Sequence, residues 1–302
     1  MKSLLILPRI KVDGANAISG LTYGFPAVTH FLGFAHSISR ELSAKSKDIN
    51  LGGCGIVCHH CQVHAHSIGR DKVFALSRNP LTKEGVTAPF NEEGKVSIEV
   101  SLIIECDFRE EDLDAWGDLQ QFLKSIYNLA VVRRLAGGLI TEMSPPTFQH
   151  IPQTEDEEDN FYRRLRRKLL PGFILRDRGD IFSEYLKNNP KLDPLQALMD
   201  FYTIKSKSSL VGDKVQWSHV DKPSMGWLVP IQAGYKAISP LCESGSVSCA
   251  RDPNTPFQFV EPIYGLGEWL SPHRITDIAS VIWRYQKTQD LYICTNKFNK
   301  TT

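Results

Sequence analysis

The segment CGIVCHHCQVHAH, at residues 54–66, holds the densest set of side chains that could do chemistry. A structural zinc ion needs about four converging thiolate or imidazole ligands, and Cys58 and Cys61 have the spacing of a ligand pair. A second pair is missing, because the other cysteines of the chain stand singly. Cys58 and Cys61 would also point to opposite faces of a strand. We therefore predict no metal site and interpret the segment as a histidine-bearing strand, with zinc binding as the alternative.

Alternation along this strand sorts its side chains into two rows. The row on one face is Val57, Cys61, Val63 and Ala65. The row on the opposite face is His60, Gln62, His64 and His66. Imidazole and amide groups stack on bases and hydrogen-bond to their edges, so this second face is a candidate nucleic-acid contact.

A loop rich in glycine and aromatic residues, at residues 16–25, precedes the first predicted helix at residues 26–42. Pro26 suits the first turn of that helix, because the N–H that proline lacks would be unpaired there in any case. Free N–H groups at a helix start can bind phosphate, and aromatic rings can stack on bases. The candidate RNA-binding residues of this unit are Asn16, Ser19, Tyr23, Phe25 and, on the helix, His30.

Acid–base catalysis would rest on His30 and His36, which lie close to this loop in the sequence. On a helix the two histidines face directions about 120° apart, so they cannot flank one phosphate unaided. The sequence has no GxSxG, Walker or HExxH motif. We predict no catalytic residue and a protein that is not an enzyme. The alternative is an RNA-cleaving enzyme that uses His30 or His36 with Tyr23.

Charge is segregated along residues 155–168, EDEEDNFYRRLRRK, where five acidic residues precede five basic ones. On a helix this order matches the dipole at both ends, which favours a self-complementary, solvated helix. In the functional alternative, Arg163, Arg166 and Arg167 contact phosphates, the main source of affinity for nucleic acids.

Two glycine-marked segments near the C-terminus carry aromatic and basic side chains. We interpret GYKAISPLCESG, at residues 234–245, and GLGEW, at residues 265–269, as turns. Glycine lets a backbone approach a ligand closely, although tight turns need glycine for structural reasons alone. The candidate RNA-binding residues that these segments add are Tyr235, Lys236 and Trp269.

Composition argues against a wholly basic surface. The 302 residues carry a formal net charge of +1, with 42% hydrophobic and 23% charged residues, as in ordinary globular chains. Any site for a polyanion must therefore be a local groove. Seven cysteines without a secretory signal indicate reduced thiols, and the apolar run at residues 4–7 is too short for a signal peptide or a membrane span. We expect a cytoplasmic protein without membrane contact.

The elements that must position these residues follow a recognisable order in the first half of the chain. We predict strands at 4–12, 55–68, 96–108 and 139–143, helices at 26–42 and 110–136, and an irregular excursion or long hairpin at 69–94. This β-α-β-β-α-β order is that of a ferredoxin-like α+β domain, in which an exposed sheet face is a common RNA platform. We expect residues 1–150 to form this core, with the excursion at about 69–95 inserted in it.

Residues 151–302 are expected to add a helical insertion and C-terminal strands that complete the fold. The charged helices at 152–189 open with a capping-box pair, Thr154 and Glu157. The later elements are a helix at 194–205, strands at 225–238 and 256–264, a short helix at 275–280, and a hairpin of strands 283–286 and 291–295.

Three stretches of the sequence resemble one known family. They are LLILPRIKVDGANAISGLTYGFPAVTHFLGFAHSISREL at 4–42, GIVCH at 55–59 and YGLGEWLSPHR at 264–274. The motifs ANAISG, TYGFP and FLGFAH are specific, and the resemblance runs along most of the chain. The chain is similar to the RAMP-superfamily subunit of the type I-F (Ypest subtype) CRISPR surveillance complex that binds the five-prime end of the guide RNA.

The resemblance implies a ferredoxin-like RAMP core with an inserted thumb-like element and a non-catalytic role in antiviral defence. Such a subunit holds the five-prime handle of the CRISPR RNA, and its handle contacts transfer loosely onto the loop at residues 16–25. The implied partners are the CRISPR RNA, the large subunit, an adjacent backbone subunit and, through the assembled Cascade-like complex, target DNA. No cofactor is expected. A RAMP-type endoribonuclease that processes CRISPR repeat RNA is the alternative function.

Overall fold

The computed structural model describes residues 2–19, 22–45, 49–79, 81–107, 116–152, 154–250 and 252–297. Long strands dominate the first half of the chain. Its described elements are β1 (Lys2–Asn16), β2 (Ile18–Ser19), β3 (Thr22–Tyr23), α1 (Val28–Lys45), β4 (Asn50–Val63), β5 (Ala65–Ile68), β6 (Asp71–Phe74), β7 (Leu76–Arg78), β8 (Phe90–Glu92), β9 (Lys95–Asp107), α2 (Leu119–Val131), β10 (Arg134–Leu135), β11 (Gly138–Glu142) and β12 (Thr147–His150).

The second half mixes helices with further strands. Its described elements are α3 (Glu155–Leu169), β13 (Phe173–Asp177), α4 (Gly179–Asn188), α5 (Pro194–Tyr202), β14 (Lys205–Val211), β15 (Lys214–Val220), β16 (Leu228–Ala237), β17 (Val260–Leu270), β18 (Arg284–Lys287) and β19 (Leu291–Thr295). Short 3₁₀ helices span Pro272–Arg274 and Ile278–Val281.

One large antiparallel sheet runs through the described part of the molecule. Its strand order is β10-β11-β1-β9-β4-β13-β17-β16-β19-β18, and β12 pairs with one end of β1. The two halves of the chain meet where β4 pairs with β13. The predicted α+β class is confirmed by this mixture of helices and sheet. The division of the chain at residue 150 stays a prediction.

The first strands are hydrophobic at consecutive positions because both of their faces are covered. In β1, Leu5 and Leu7 join a core with α1 and α2, whereas Leu4 and Ile6 join a second core with α3. Alternate side chains of a strand point to opposite faces, so α3 lies on the opposite side of the sheet from α1 and α2. The expectation of an exposed sheet face is therefore wrong at this end, where α3 covers it.

One side of helix α1 is an apolar stripe. The buried side chains on this helix include Phe31, Phe34, Ala35, Ile38 and Leu42. The helix begins at Val28, so Pro26 lies just before it rather than in its first turn.

Helix α2 is shorter than the predicted helix at residues 110–136. Asp118 caps its N-terminus, where the N–H of Gln121 donates to the Asp118 carboxylate at 2.7 Å. The first part of the predicted helix, residues 110–115, lies outside the described residues. Trp116 falls within the predicted helix but precedes the cap, and it packs edge-on against Phe122. The helix ends at Val131 because the chain then enters the β10–β11 hairpin.

The predicted excursion contains two short hairpins beyond the paired ends of β4 and β9. Strand β5 pairs with β6, and β7 pairs with β8. Among the described residues, no helix combines the length and the apolar composition that crossing a membrane requires.

Several predictions for the second half need correction. The helical segment at 152–189 is interrupted by β13, because its residues pair with β4 and β17 and tertiary pairing overrides local pattern. Thr154 is the N-cap residue of α3, but its side chain makes no capping hydrogen bond, so the capping box is wrong. The C-terminal hairpin is confirmed as β18 and β19.

Candidate functional site

A cavity of about 530 Å³ opens between the loop before α1 and the strands β4, β13, β16 and β17. Its volume falls within the range of ligand pockets, about 300–1,000 Å³. The aromatic side chains that line it are Tyr23, Phe25, Phe173, Trp227 and Trp269. Elements far apart in the chain therefore build one aromatic wall.

The aromatic rings of the wall hold one another in place. Phe25 stacks on Phe31 of α1 with ring centroids 5.4 Å apart, and Trp269 meets Phe25 edge-on at 4.9 Å. Trp227 in turn contacts Phe173 at 4.9 Å and Trp269 at 6.5 Å. Since these contacts fix the ring planes, the wall is a preformed surface for a planar ligand.

Tyr23 differs from the other rings because it lies at the rim of the cavity. Its side chain is 60% exposed, and its contact is an edge-on one with Phe74 of β6 at 5.0 Å. The excursion thus supports the rim of the cavity through Phe74. A face of Tyr23 is available to a ligand without loss of core packing.

Polar groups are interspersed with the aromatic wall. The cavity is also lined by Ser19, His60 and Gln232, of which Ser19 and Gln232 are buried. Imidazole, hydroxyl and amide groups donate and accept hydrogen bonds, as the edges of nucleobases require. The combination suits a planar, polar-edged ligand such as a base.

The cysteines of β4 also line the cavity, and the predicted geometry of the CxxC pair is wrong. A bulge between Cys58 and His60 places Cys58 opposite Val100 and Cys61 opposite Ile98 on β9. Directly opposite residues share a face, so the bulge brings Cys58 and Cys61 to the same face. Val57 joins the other core with α3, which removes it from the predicted row with Cys61.

The thiols of these cysteines are held in the protonated form. Burial raises the pKa of Cys58 to about 12 and also raises the pKa of Cys61. A thiolate is the form that binds metals and attacks electrophiles. Across the part of the chain that the structure describes, no group of three or more His, Cys, Asp and Glu side chains could hold a metal ion.

His59, the extra residue at the bulge, connects three strands and the segment before β13. Its Nδ1 lies 2.6 Å from the carbonyl oxygen of Pro171, and its Nε2 lies 2.7 Å from the Ser101 hydroxyl. The backbone N–H of Arg9 donates to the same hydroxyl at 3.0 Å. A carbonyl only accepts, so Nδ1 carries the proton and Nε2 accepts from Ser101. Burial lowers the pKa of His59, which favours this neutral form.

The other polar residues of this strand divide between two places. His60 and Gln62 lie opposite Glu99 and Ser97 on β9, and His64 lies 2.7 Å from the Ser97 hydroxyl. His66 belongs to the exposed β5–β6 hairpin. The predicted row of histidines therefore does not continue as one strand face to residue 66.

Of the predicted RNA-binding residues, the cavity brings together Ser19, Tyr23, Phe25 and Trp269. Asn16 holds the turn instead, because its amide accepts from the N–H of Ile18 at 3.0 Å and donates to the Ile18 carbonyl at 3.1 Å. His30 lies on α1 with its Nδ1 buried and without a hydrogen-bond partner among the described residues. Burial lowers the pKa of His30.

The predicted arginines lie on α3, which packs on the opposite side of the sheet from α1. Arg166 is engaged in the fold, because it donates to the carbonyl of Ile275 at 3.1 Å and lies over the ring of Tyr162. Arg163 donates to Asn160 at 2.8 Å, and both Arg163 and Arg167 are exposed. Their role in RNA binding stays a prediction.

The two glycine-marked segments are strands where their candidate residues lie, so their interpretation as turns is wrong there. Tyr235 and Lys236 belong to β16, where Tyr235 pairs with Pro262 and Tyr292. Trp269 belongs to β17, opposite Leu175. Gly267 is needed here because a Cβ would lie 2.7 Å from Ile231.

Sequence reasoning did not identify Phe173, Trp227 and Gln232 as cavity residues. Phe173 falls in a segment that the charge pattern assigns to helix, although it begins β13. Trp227 falls inside the strand predicted at residues 225–238, whereas in the structure it immediately precedes β16.

Beside the pair of Leu175 and Trp269, the next pair of the β13–β17 ladder is Arg176 with the buried Glu268. Burial opposes the charge of the Glu268 carboxylate, but Arg176 and Arg178 outweigh this effect and lower the pKa of Glu268.

The described part of the chain is an α+β fold in which an aromatic-lined cavity lies beside an antiparallel sheet. Residues 5–294 match the family described as CRISPR-associated protein (Cas_Csy2). CRISPR-associated protein Csy2 of Pseudomonas aeruginosa (strain UCBPP-PA14) is 38% identical over 310 residues, covering 96% of this chain and 93% of that relative. The chain belongs to the Cas_Csy2 family, and the resemblance to a type I-F CRISPR protein is confirmed.

Proposed function

We propose that this chain is a non-catalytic, RNA-binding subunit of a type I-F CRISPR interference complex. In this proposal it holds the five-prime handle of the CRISPR RNA and pairs with the large subunit and an adjacent backbone subunit. Target DNA is met through the assembled complex. The observation that carries the proposal is the aromatic cavity, which Tyr23, Phe25 and Trp269 line beside hydrogen-bonding groups.

The arrangement of strands supports a ferredoxin-like RAMP core. Strands β11, β1, β9 and β4 are neighbours in that order and antiparallel, and α1 and α2 pack on the same core. A β-α-β-β-α-β chain gives this order when its second helix leads into the outer strand beside the first. The hairpins β5–β6 and β7–β8 would be the thumb-like element.

An unpaired RNA strand is the ligand class that the cavity suits. Sequence-specific recognition of RNA depends on splayed bases that stack on aromatic rings and hydrogen-bond through their edges. A base inserted beside Tyr23 would meet Gln232 or His60 at its edge. Because the net charge is only +1, the lysines and arginines that would hold the phosphates must form a local groove beside the cavity.

The geometry does not favour the endoribonuclease alternative. His30 and His36 are not among the residues that line the cavity, whereas Tyr23 is. His36 is exposed on α1, and its ring lies 6.5 Å from that of Tyr285. A general base must come within hydrogen-bonding reach of the group that it deprotonates.

The test compares Tyr23→Ala with Tyr285→Ala, a matched control because Tyr285 is 45% exposed and lies outside the cavity. Loss of a ring that stacks on a base should weaken binding of handle RNA by about 1–3 kcal/mol. The measurement is fluorescence anisotropy of a labelled handle RNA with the chain bound to its large subunit. Tyr285→Ala should bind as the unaltered chain does.

Phe25→Ala separates a binding role from a packing role. Phe25 touches Phe31 in the core, so this variant should lose stability as well as affinity. Tyr23→Ala should unfold at the same denaturant concentration as the unaltered chain. Equal RNA affinity for Tyr23→Ala and the unaltered chain, or equal RNA retention by a complex that lacks this subunit, would contradict the proposal.

A further inference from the structure

A two-stranded ribbon, made of β14 and β15, stands apart from the large sheet. The two strands pair with each other and form a separate sheet. Lys205 lies opposite Val220 at the base of the ribbon, and Val211 lies opposite Lys214 at its tip. Nearly all of its side chains are exposed. An isolated hairpin is marginally stable in water, so a ribbon of this kind gains most from contact with something else.

The register of the ribbon gives its faces different chemistry. Side chains of directly paired residues lie on the same face, so Leu210, Val215 and Trp217 share one face with Ser208 and His219. Trp217 is 72% exposed and Leu210 is 75% exposed. An exposed tryptophan on a ribbon without a core of its own is available to stack on a planar group.

The lysines of the ribbon lie on its other face. They are Lys205, Lys207 and Lys214, and the same face also carries Ser209, Val211, Gln216, Ser218 and Val220. The strands of a ribbon are about 5 Å apart, so the flexible stem of a lysine can carry its ammonium group past the edge towards the aromatic face. The register therefore places the lysines on the face opposite Trp217, and their ammonium groups reach the aromatic face only around the edge of the ribbon.

The base of the ribbon is fixed to the neighbouring helices. Lys205 forms an ion pair with Asp200 of α5, and Tyr185 of α4 donates to the same carboxylate at 2.8 Å. Burial opposes the charge of Asp200, but hydrogen bonds from Lys205 and Tyr185 outweigh it and lower its pKa. Lys205 is thus an anchor, while Lys207 and Lys214 are exposed farther along the ribbon.

We propose that the ribbon is a second nucleic-acid-binding surface, separate from the cavity. Trp217 stacks on a base of a single-stranded polynucleotide, and Lys207 and Lys214 contact its phosphates. The local charge favours a polyanionic ligand, since residues 205–222 carry four lysines and two aspartates in a chain of net charge +1. A ring that stacks accepts every base, so the ribbon recognises an unpaired strand rather than a sequence.

Anisotropy of labelled single-stranded RNA, single-stranded DNA and duplex DNA of equal length tests the proposal with the full chain. Trp217→Ala should raise the Kd for single strands about 5- to 150-fold, the equivalent of one lost stacking contact. Trp217→Tyr keeps a stacking ring and should restore most of the affinity. The RNA and DNA arms identify which single strand is the better ligand.

The lysines are tested through the salt dependence of binding. Lys207→Gln combined with Lys214→Gln should reduce the slope of log K against log salt concentration by about 1.4, or about 0.7 per phosphate contact. The matched control replaces Lys124 and Lys191, which are exposed lysines on α2 and between α4 and α5. The control pair should leave the slope unchanged.

The proposal is overturned by an unchanged Kd in Trp217→Ala, by an unchanged salt slope in the ribbon lysine pair, or by an equal loss in the control pair. Ribbon variants that bind every polynucleotide normally but no longer bind the large subunit would make the ribbon a protein-docking surface, which also overturns it. Binding of handle RNA by Tyr23→Ala reports on the cavity alone, so the two proposals fail separately.

Discussion

At the scale of single residues, His59 is the side chain that sets the shape of β4 beside the cavity. It occupies the bulge between Cys58 and His60, and its ring reaches the Pro171 carbonyl and the Ser101 hydroxyl. Its neighbour Arg9 donates to Glu99 at 3.1 Å and to the Leu170 carbonyl at 2.7 Å. These contacts join β1, β4 and β9 to the segment that leads into β13.

The neutral state of His59 makes stability depend on pH. Burial lowers the pKa of this imidazole in the folded chain, while the unfolded chain takes up the proton near the ordinary value of about 6.5. The folded state therefore binds fewer protons, and the free energy of unfolding falls as the pH drops below about 6.5. The stabilisation is complete above that pH.

His59→Gln should reduce this loss of stability between pH 7.5 and pH 5.5, because an amide does not titrate there. Some pH dependence should remain, since burial also lowers the pKa of His30. Urea unfolding at the two pH values measures the difference, with a comparison at pH 8.5 as the control for lost packing. An identical pH dependence in the variant and the unaltered chain would contradict this role for His59.

At the scale of elements, β16 depends on close approach to β19. Gly234 has a φ of +153°, and a Cβ there would lie 1.9 Å from the carbonyl oxygen of Tyr292. The β16–β17 register shifts beside it, between Gln232 and Gly234. Gln232 belongs to the cavity, so this irregular strand links the aromatic wall to the C-terminal hairpin.

Gly234→Ala should destabilise the chain by at least about 2 kcal/mol, because the backbone of β19 must move away. Gly245→Ala is the matched control: its φ is also positive, at +78°, but the nearest atom to a Cβ is 3.8 Å away. The control should cost about 1 kcal/mol for the left-handed conformation alone. Denaturant unfolding gives both values, and equal losses in the two variants would show that the close approach is unimportant.

At the scale of the whole molecule, Trp283 joins the end of the chain to its first half. It is fully buried, and its Nε1 donates to the Leu175 carbonyl at 2.9 Å. Its backbone exchanges two hydrogen bonds with Cys54 of β4, at 2.8 and 3.0 Å. The core that contains α1 and α2 therefore includes a side chain from near the C-terminus.

Trp283→Ala should lower the free energy of unfolding by about 3–5 kcal/mol, because a large buried ring is lost. Trp283→Phe keeps most of the ring but leaves the Leu175 carbonyl unpaired, and should cost less, about 1–3 kcal/mol. Unfolding followed by circular dichroism measures both. If the two halves were independent, Trp283→Ala would produce two separate transitions, and a single transition at lower denaturant is expected instead.

The sequence determined the features that depend on local periodicity and on characteristic motifs. The apolar stripe of α1, the strands β1 and β9, the C-terminal hairpin and the CRISPR-family resemblance follow from residue order alone. Tyr23, Phe25 and Trp269 were identified from aromatic residues beside glycines. Side-chain periodicity is a property of the backbone, so it is visible before any tertiary contact is known.

Only the tertiary structure decided which of these residues meet. The bulge at His59 places Cys58 and Cys61 on the same face of β4, whereas regular alternation would place them on opposite faces. Pairing with β4 makes a strand, β13, of a segment whose charge pattern predicts a helix. Phe173 and Trp227 entered the cavity through that pairing and through β16. Strand register and sheet neighbours depend on contacts between distant segments, which local sequence does not encode, and one inserted residue exchanges the faces of every side chain that follows.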